Sequence, residues 1–194
     1  RMDSHALRAH YRAIADASAL PLVIYNMPAS ASGLDLDAAT ICTLAEHPNI
    51  IGVKDSAGNM AKLEQIVETV GKEGRGGTRP FSVFAGSAGY LLPALTVGAV
   101  GAVAALANVF PYEVCLVQQL FTEGKLAEAR ALHEVLVPAN TAVTTTYSVP
   151  GLKAALELTA GYGGRPRSPL LPLTQQERTR LTEILQHVVQ FGEG

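Results

Sequence analysis

Lys54 closes an apolar, strand-like run, "IIGVKDS", and Tyr25 closes another, "LPLVIYN", about thirty residues earlier. Lysine is rarely buried without a partner, so Lys54 is either a solvated strand end or an amine with chemistry to do. Period-two alternation puts Gly52, Lys54 and Ser56 on one face of the later strand, and Val23, Tyr25 and Met27 on one face of the earlier. If both faces look into one space, an amine and a phenol meet there. A lysine attacks a keto carbon only as the free amine. Bringing a lysine pKa from about 10.4 to about 7 costs roughly 5 kcal/mol, a cost that burial among apolar strands can impose. The resulting iminium withdraws electrons from the neighbouring carbon, so a carbon–carbon bond can break or form. A phenol such as Tyr25 can then pass protons to and from the departing or arriving oxygen.

The elements that must hold this pair follow from the pattern of apolar residues. "SHALRAHYRAIADAS" spaces Leu7, Tyr11 and Ile14 along one helical face, and "LPLVIYNMP" is a strand. "LDLDAATICTLAEHP", with Asp35 or Asp37 as N-cap and Pro48 as a stop, is a helix leading to the strand "NIIGVKDS". In "NMAKLEQIVETVGKEG" Asn59 caps, Leu63, Ile66, Val67 and Val70 form a buried stripe, and Gly71 and Gly74 end the helix. A strand "FSVFAGS", a short helix "GYLLPALTVG" and a fourth strand "GAVAALANV" follow. After Pro111 the pattern is helical only, with a break at Gly124, a helix opening near Pro150, and the capping box "TQQE" ahead of Leu181, Ile184, Leu185 and Val188. Strands apolar on both faces are parallel strands covered by helices. Four βα units without a "GxGxxG" fit either an open doubly wound sheet or four consecutive units of a (β/α)8 barrel. Both architectures put active groups at the C-terminal strand ends, where Tyr25, Asn26, Lys54, Ser56, Gly86, Ser87 and Asn108 collect.

With 194 residues, 48% of them apolar, and a formal net charge of -2, the chain suits a globular domain with a full core. Its dispersed Lys and Arg residues give no footprint for nucleic acid or an anionic membrane. Pro93, Gly98 and Gly101 break the longest apolar stretch, so it is read as core and not as a membrane span. Cys42 and Cys115, on helical stretches, are read as buried reduced thiols. The five histidines, His5, His10, His47, His133 and His187, show no metal-ligand spacing and are read as surface or interface groups, so no metal and no cofactor is expected. "GKEGRGGTRP" lacks the ending of a phosphate loop and is read as a solvent-facing turn. "GSAG" at 86–89 joins a strand end to a helix start, either as an anion-binding turn or as a plain one. Asp55, on the face opposite Lys54, is expected to bond neighbouring loops or a helix start.

"YNMPASASGLDL", then "GVKDSAGN", "FAGSAG" and "GAVGAVAALANV" in that order resemble the pyruvate-dependent Schiff-base aldolase family that includes dihydrodipicolinate synthase, N-acetylneuraminate lyase and 4-hydroxy-2-oxoglutarate aldolase. The resemblance extends through "GKLAEARALHEVL" and "SVPGLKAAL". It implies an α/β fold, the C-terminal half of a (β/α)8 TIM barrel with four parallel strands over 1–110, followed by the last barrel helix and a C-terminal helical extension over 111–194. It further implies that Lys54 forms the imine with a 2-oxo acid, that Tyr25 gives and takes the proton, and that Gly86 and Val103 supply walls or backbone groups near the bound acid. Ser56 is expected to bond a substrate carboxylate.

Dihydrodipicolinate synthases carry an arginine shortly after "YNxP", whereas "ASASG" offers only Ser30 and Ser32. "VKDSAGN" also departs from the "KFT" wording of the sialic acid lyases. The resemblance therefore points to cleavage of 4-hydroxy-2-oxoglutarate into pyruvate and glyoxylate, with dihydrodipicolinate synthesis or a 2-oxo-3-deoxy sugar acid aldolase as alternatives. The expected partners are a small 2-oxo acid and further copies of the chain, as a dimer or tetramer, in the cytoplasm, or in mitochondria if a transit peptide lies upstream. The chain opens on Arg1 and resembles only the last four strands of a barrel, so it is read as part of a longer protein. A reading of another class is a non-catalytic half-barrel that needs a partner at its open sheet edges; an open-sheet ligand-binding module is a third.

Overall fold

The computed structural model describes residues 3–71 and 80–192; the "GKEGRGGTRP" turn, but for Gly71 and Pro80, and Gly74 lie outside them. The chain divides into two compact units, Arg1–Gly86 with Pro93–Ala102, and Ser87–Leu92 with Val103–Gly194. The first unit carries helix α1 (Ser4–Ala17), strand β1 (Leu22–Asn26), α2 (Ala38–Leu44), β2 (Ile50–Asp55), α3 (Met60–Val70), β3 (Ser82–Ala85) and β4 (Gly101–Ala102). Its four strands are parallel, in the order β1-β2-β3-β4. Sequential parallel strands with helical crossovers are the α/β pattern expected from the sequence.

Local chemistry sets the element ends. Asp3 caps α1 by accepting from the Ala6 N–H at 2.8 Å, and Asn49 Nδ2 reaches the Ala15 and Ser18 carbonyls at that helix's other end, both at 2.9 Å. The buried line of α1 runs through Leu7 and Ala15, one face over two turns; Tyr11 sits at its margin and Ile14 is exposed, contrary to the expected stripe. Asp37, not Asp35, caps α2, accepting from the Thr40 N–H at 2.7 Å. Asn59 caps α3 through the Lys62 N–H at 3.1 Å. Leu63, Ile66 and Val70 are buried on α3 as expected, but Lys62 is buried with them. Cys42 is buried, whereas Cys115 is exposed.

The expected fourth strand is shorter than its apolar run. Only Gly101–Ala102 pairs with β3, and Ala105–Asn108 turns into a 3-10 helix. Alanine and leucine favour helical backbone, and the Asn108 amide returns to the Ala105 carbonyl at 3.0 Å.

In the second unit, α5 (Pro111–Thr122), α6 (Leu126–Thr141), α7 (Ser148–Ala160) and α8 (Gln175–Gly192) bury Val117, Leu132, Leu136, Ala155, Leu181, Leu185 and Val188. α4 (Leu91–Thr96) runs from this unit into the first. Gly124 at φ 76° separates α5 from α6, and Thr174 and Glu177 form the expected capping box. Pro138 lies inside α6, and the chain widens into a π turn at Ala142–Thr146. His133 is buried, not at a surface: its ring lies 3.0 Å from the Ala88 carbonyl, so that nitrogen carries the proton and donates, and burial holds its pKa below the ordinary histidine value. No helix among the described residues is long and apolar enough to cross a membrane.

A Cβ at Gly52 would stand 2.6 Å from the Ser82 carbonyl oxygen of the neighbouring strand, and a ladder carbonyl has little room to retreat. Gly52→Ala is therefore expected to cost about 1–3 kcal/mol as overpacking. Leu63→Ala, at a fully buried position, is expected to cost about 2–5 kcal/mol as a cavity. Urea midpoints of the two variants against the parent check both; an unshifted Gly52→Ala midpoint contradicts the β2–β3 register.

Candidate active site

β1 alternates between two environments. Ile24 and Asn26 are buried, while Val23 and Tyr25 are 47% and 49% exposed. β2 lies in parallel register with it, Tyr25 opposite Lys54 and Asn26 opposite Asp55. The sheet's C-terminal edge thus carries a phenol beside an amine on one face and an amide beside a carboxylate on the other.

On the first face, Lys54 Nζ lies 4.3 Å from the centre of the Tyr25 ring. At exposed sites such a cation–π contact contributes about 0.5–1 kcal/mol. Lys54 is half-buried, short of the enclosure expected from its apolar neighbours. The Tyr25 hydroxyl donates to Met27 Sδ at 2.6 Å, a weak acceptor. Ser56 follows β2, and its N–H donates to the Asn26 carbonyl at 2.8 Å. Gly86 follows β3, and its N–H donates to the Asp55 carbonyl at 2.8 Å. A Cβ on Gly86 would overlap the Ser56 hydroxyl, so glycine lets the two turns approach. In "GSAG" the Gly86 N–H donates to the Asp55 carbonyl and the Gly89 N–H to Ser87 Oγ at 3.2 Å, so these two donors bond within the fold. Val103, directly after β4, belongs to the second unit and is 52% exposed.

The opposite face holds a polar cluster that the sequence reading missed. Asp55 is fully buried and Lys62 is 9% exposed, with their charged atoms 2.8 Å apart. Lys62 also meets Asp35 at 2.6 Å. The Asn26 amide donates to both carboxylates at 2.7 Å and accepts from the Leu36 N–H at 3.0 Å. Asp55 further accepts from the Ala57 N–H at 2.9 Å, the local-loop role expected of it. Lys62 stands four residues before Ile66 and eight before Val70, so the phase of the α3 stripe was the available signal for its burial. Asp35 has partners nine and 27 residues away, beyond local pattern. Among the described residues, no group of three or more His, Cys, Asp or Glu side chains could hold a metal ion.

A family model described as the dihydrodipicolinate synthetase family matches residues 1–188. The chain is 34% identical over 190 residues to the probable mitochondrial 4-hydroxy-2-oxoglutarate aldolase of Emericella nidulans, covering 98% of this chain and 59% of that one. It is 33% identical to the L-threo-3-deoxy-hexylosonate aldolase of Hypocrea jecorina, covering 97% and 60%. The solved 4-hydroxy-tetrahydrodipicolinate synthase of Methylacidiphilum fumariolicum SolV superimposes with a TM-score of 0.86 at 34% identity, covering 98% and 61%. The chain thus spans about 60% of the length of the relatives it matches.

Burial by itself raises the Asp35 carboxyl, but hydrogen bonds from Lys62 and Asn26 and the Lys62 charge outweigh it and hold the group below the usual aspartate value. A carboxylate depressed in the folded state contributes stability that is complete above the ordinary value of about 3.9 and is lost as pH falls through the lower folded one. Asp35 is 45% exposed, so this share is about 1 kcal/mol or less. Melting temperature followed from pH 5 to pH 2 is expected to fall less steeply in Asp35→Asn than in the parent. Identical slopes contradict the pairing with Lys62.

Proposed function

The chain belongs to the dihydrodipicolinate synthetase family, and on that footing we propose that it serves a carbon–carbon lyase acting on 2-oxo acids through an imine at Lys54. The observation that carries this reading is the Lys54 amine lying 4.3 Å over the Tyr25 ring at adjacent strand ends. In the proposed reaction the neutral amine adds to the C2 carbonyl of the 2-oxo acid, and Tyr25 gives its proton to the departing hydroxyl, so that water leaves a protonated imine and a Tyr25 phenolate. Tyr25, as phenolate, takes the proton of the C4 hydroxyl while the C3–C4 bond breaks, its electrons passing to the imine and forming an enamine. The freed carbonyl product departs. The enamine takes a proton at C3 from Tyr25, and water hydrolyses the protonated imine to pyruvate and the free amine, its surplus proton returning to the Tyr25 phenolate. Ser56 is assigned the substrate carboxylate, with Gly86 as backbone or wall beside it.

Incubating the chain with pyruvate and borohydride, then sequencing its peptides by mass spectrometry, is expected to place the reduced adduct on Lys54. Tyr25→Phe is expected to keep the adduct and to lose turnover by about 10²-fold or more. A label on another lysine sinks the mechanism, and unchanged turnover removes Tyr25 from it.

The substrate proposed is 4-hydroxy-2-oxoglutarate, cleaved to pyruvate and glyoxylate. After "YNMP" the chain offers Ser30 and Ser32 and no arginine, so an amino-acid carboxylate lacks the bidentate partner there that arginine supplies. Cleavage of 4-hydroxy-2-oxoglutarate is expected to exceed condensation of pyruvate with aspartate semialdehyde in kcat/KM, measured side by side with a 2-oxo-3-deoxy sugar acid. A preference for the semialdehyde overturns this choice.

The exposure of Val23 and Tyr25 favours a second reading, in which this half-barrel is catalytic only once further strands cover that face, whether from the same protein or from another copy. A folded chain that gains no adduct with pyruvate selects it.

A further inference from the structure

We propose that Asn26, Asp55 and Lys62 are positioning residues for the Schiff-base pair, locking the ends of β1 and β2 from the face opposite the amine and the phenol; the inference rests on the roles of Lys54 and Tyr25 proposed above. Each reactive residue is followed directly in sequence by a member of the cluster, Tyr25 by Asn26 and Lys54 by Asp55, and strand alternation turns the second of each pair inward. The register sets Asn26 opposite Asp55 as it sets Tyr25 opposite Lys54. Across that buried face the Asn26 amide donates to Asp55 at 2.7 Å, and Lys62, brought in by α3, meets the same Asp55 oxygen at 2.8 Å. The backbone repeats the tie: Asn26 accepts from the Ser56 N–H and Asp55 from the Gly86 N–H, both at 2.8 Å. Neither strand end can slide or rotate without separating a buried carboxylate from its partners, so the amine and the phenol on the outer face keep their mutual placement.

Stability alone is a poor account of such a cluster. A buried ion pair returns little beyond its desolvation cost, and uncharged replacements of similar shape are often neutral or stabilising. Its distinctive effect is geometric, and a misplacement of about 1 Å at reacting atoms can cost on the order of 10²-fold in rate.

The test measures borohydride trapping of pyruvate on Lys54 against pyruvate concentration, in the parent chain, Lys62→Met and the double variant Asp55→Asn/Lys62→Met, with melting temperatures alongside. Lys62→Met leaves Asp55 buried without its lysine counter-charge and is expected to lower both the melting temperature and the maximal trapping rate, the rate about tenfold or more. The double variant buries no unpaired charge and is expected to recover the melting temperature while its maximal rate stays low and its half-saturating pyruvate concentration stays near the parent's. It also carries the comparison if Lys62→Met alone does not fold. Parent-like maximal rates in the variants, or a rate that recovers together with the melting temperature, overturn the inference and leave the cluster a structural tie. Either a label on another lysine of the parent chain or no adduct at all overturns the inference, the first by refuting the Schiff-base reading itself and the second by selecting the covered half-barrel instead.

Discussion

The contact between Lys62 and Asp55 is the constraint on which the C-terminal edge of the first unit's sheet depends. Asp55 is fully buried at the end of β2, and a carboxylate there is tolerable only when paired and hydrogen-bonded. Lys62 supplies the charge, Asn26 an amide donor and Ala57 a backbone donor. Removing one partner of such a pair costs about 3–5 kcal/mol, because the other charge stays buried. The need to satisfy Asp55 therefore joins three elements, β1 through Asn26, β2 itself, and α3 through Lys62. Asp35, in the loop before α2, closes the cluster from its more exposed side.

Period-two alternation converts this internal requirement into an external arrangement. With Asn26 and Asp55 committed to the buried face, Tyr25 and Lys54 must take the other, and parallel register sets them side by side. Small residues complete the edge. Gly52 lies where a side chain would strike the Ser82 carbonyl, and Gly86 where one would strike the Ser56 hydroxyl. The amine, the phenol and the serine turn owe their places to glycines and to buried polar groups that take no direct part in the proposed chemistry.

Much of this was legible from residue order. The two apolar runs ending in Tyr25 and Lys54, their alternation, the Asn59 cap and the Thr174–Glu177 box all depend on neighbours within a few positions, and the structure places them as read. What escaped depends on distant partners. Asp35 and Asp37 were equivalent as caps until Thr40 chose Asp37 and Lys62 engaged Asp35. Lys62 shares its helical phase with Ile66 and Val70, a local signal of burial, but its partners Asp35 and Asp55 are 27 and seven residues away. The run from Gly101 to Val109 has the largely apolar composition of one strand, whereas only its first two residues find a ladder partner in β3. His133 was grouped with surface histidines because nothing local announces the Ala88 carbonyl, 45 residues away.

The central claim is that a buried polar tie holds Tyr25 and Lys54 face to face for imine chemistry. A crystal structure of this chain grown with pyruvate tests it most directly. The account predicts continuous density from Lys54 Nζ to the pyruvate C2 atom, the Tyr25 hydroxyl turned from Met27 to within hydrogen-bond distance of the bound acid, and the Asn26, Asp55 and Lys62 contacts unchanged. Pyruvate bound away from Lys54, or an adduct formed with that cluster broken and Tyr25 swung clear of the amine, would contradict it.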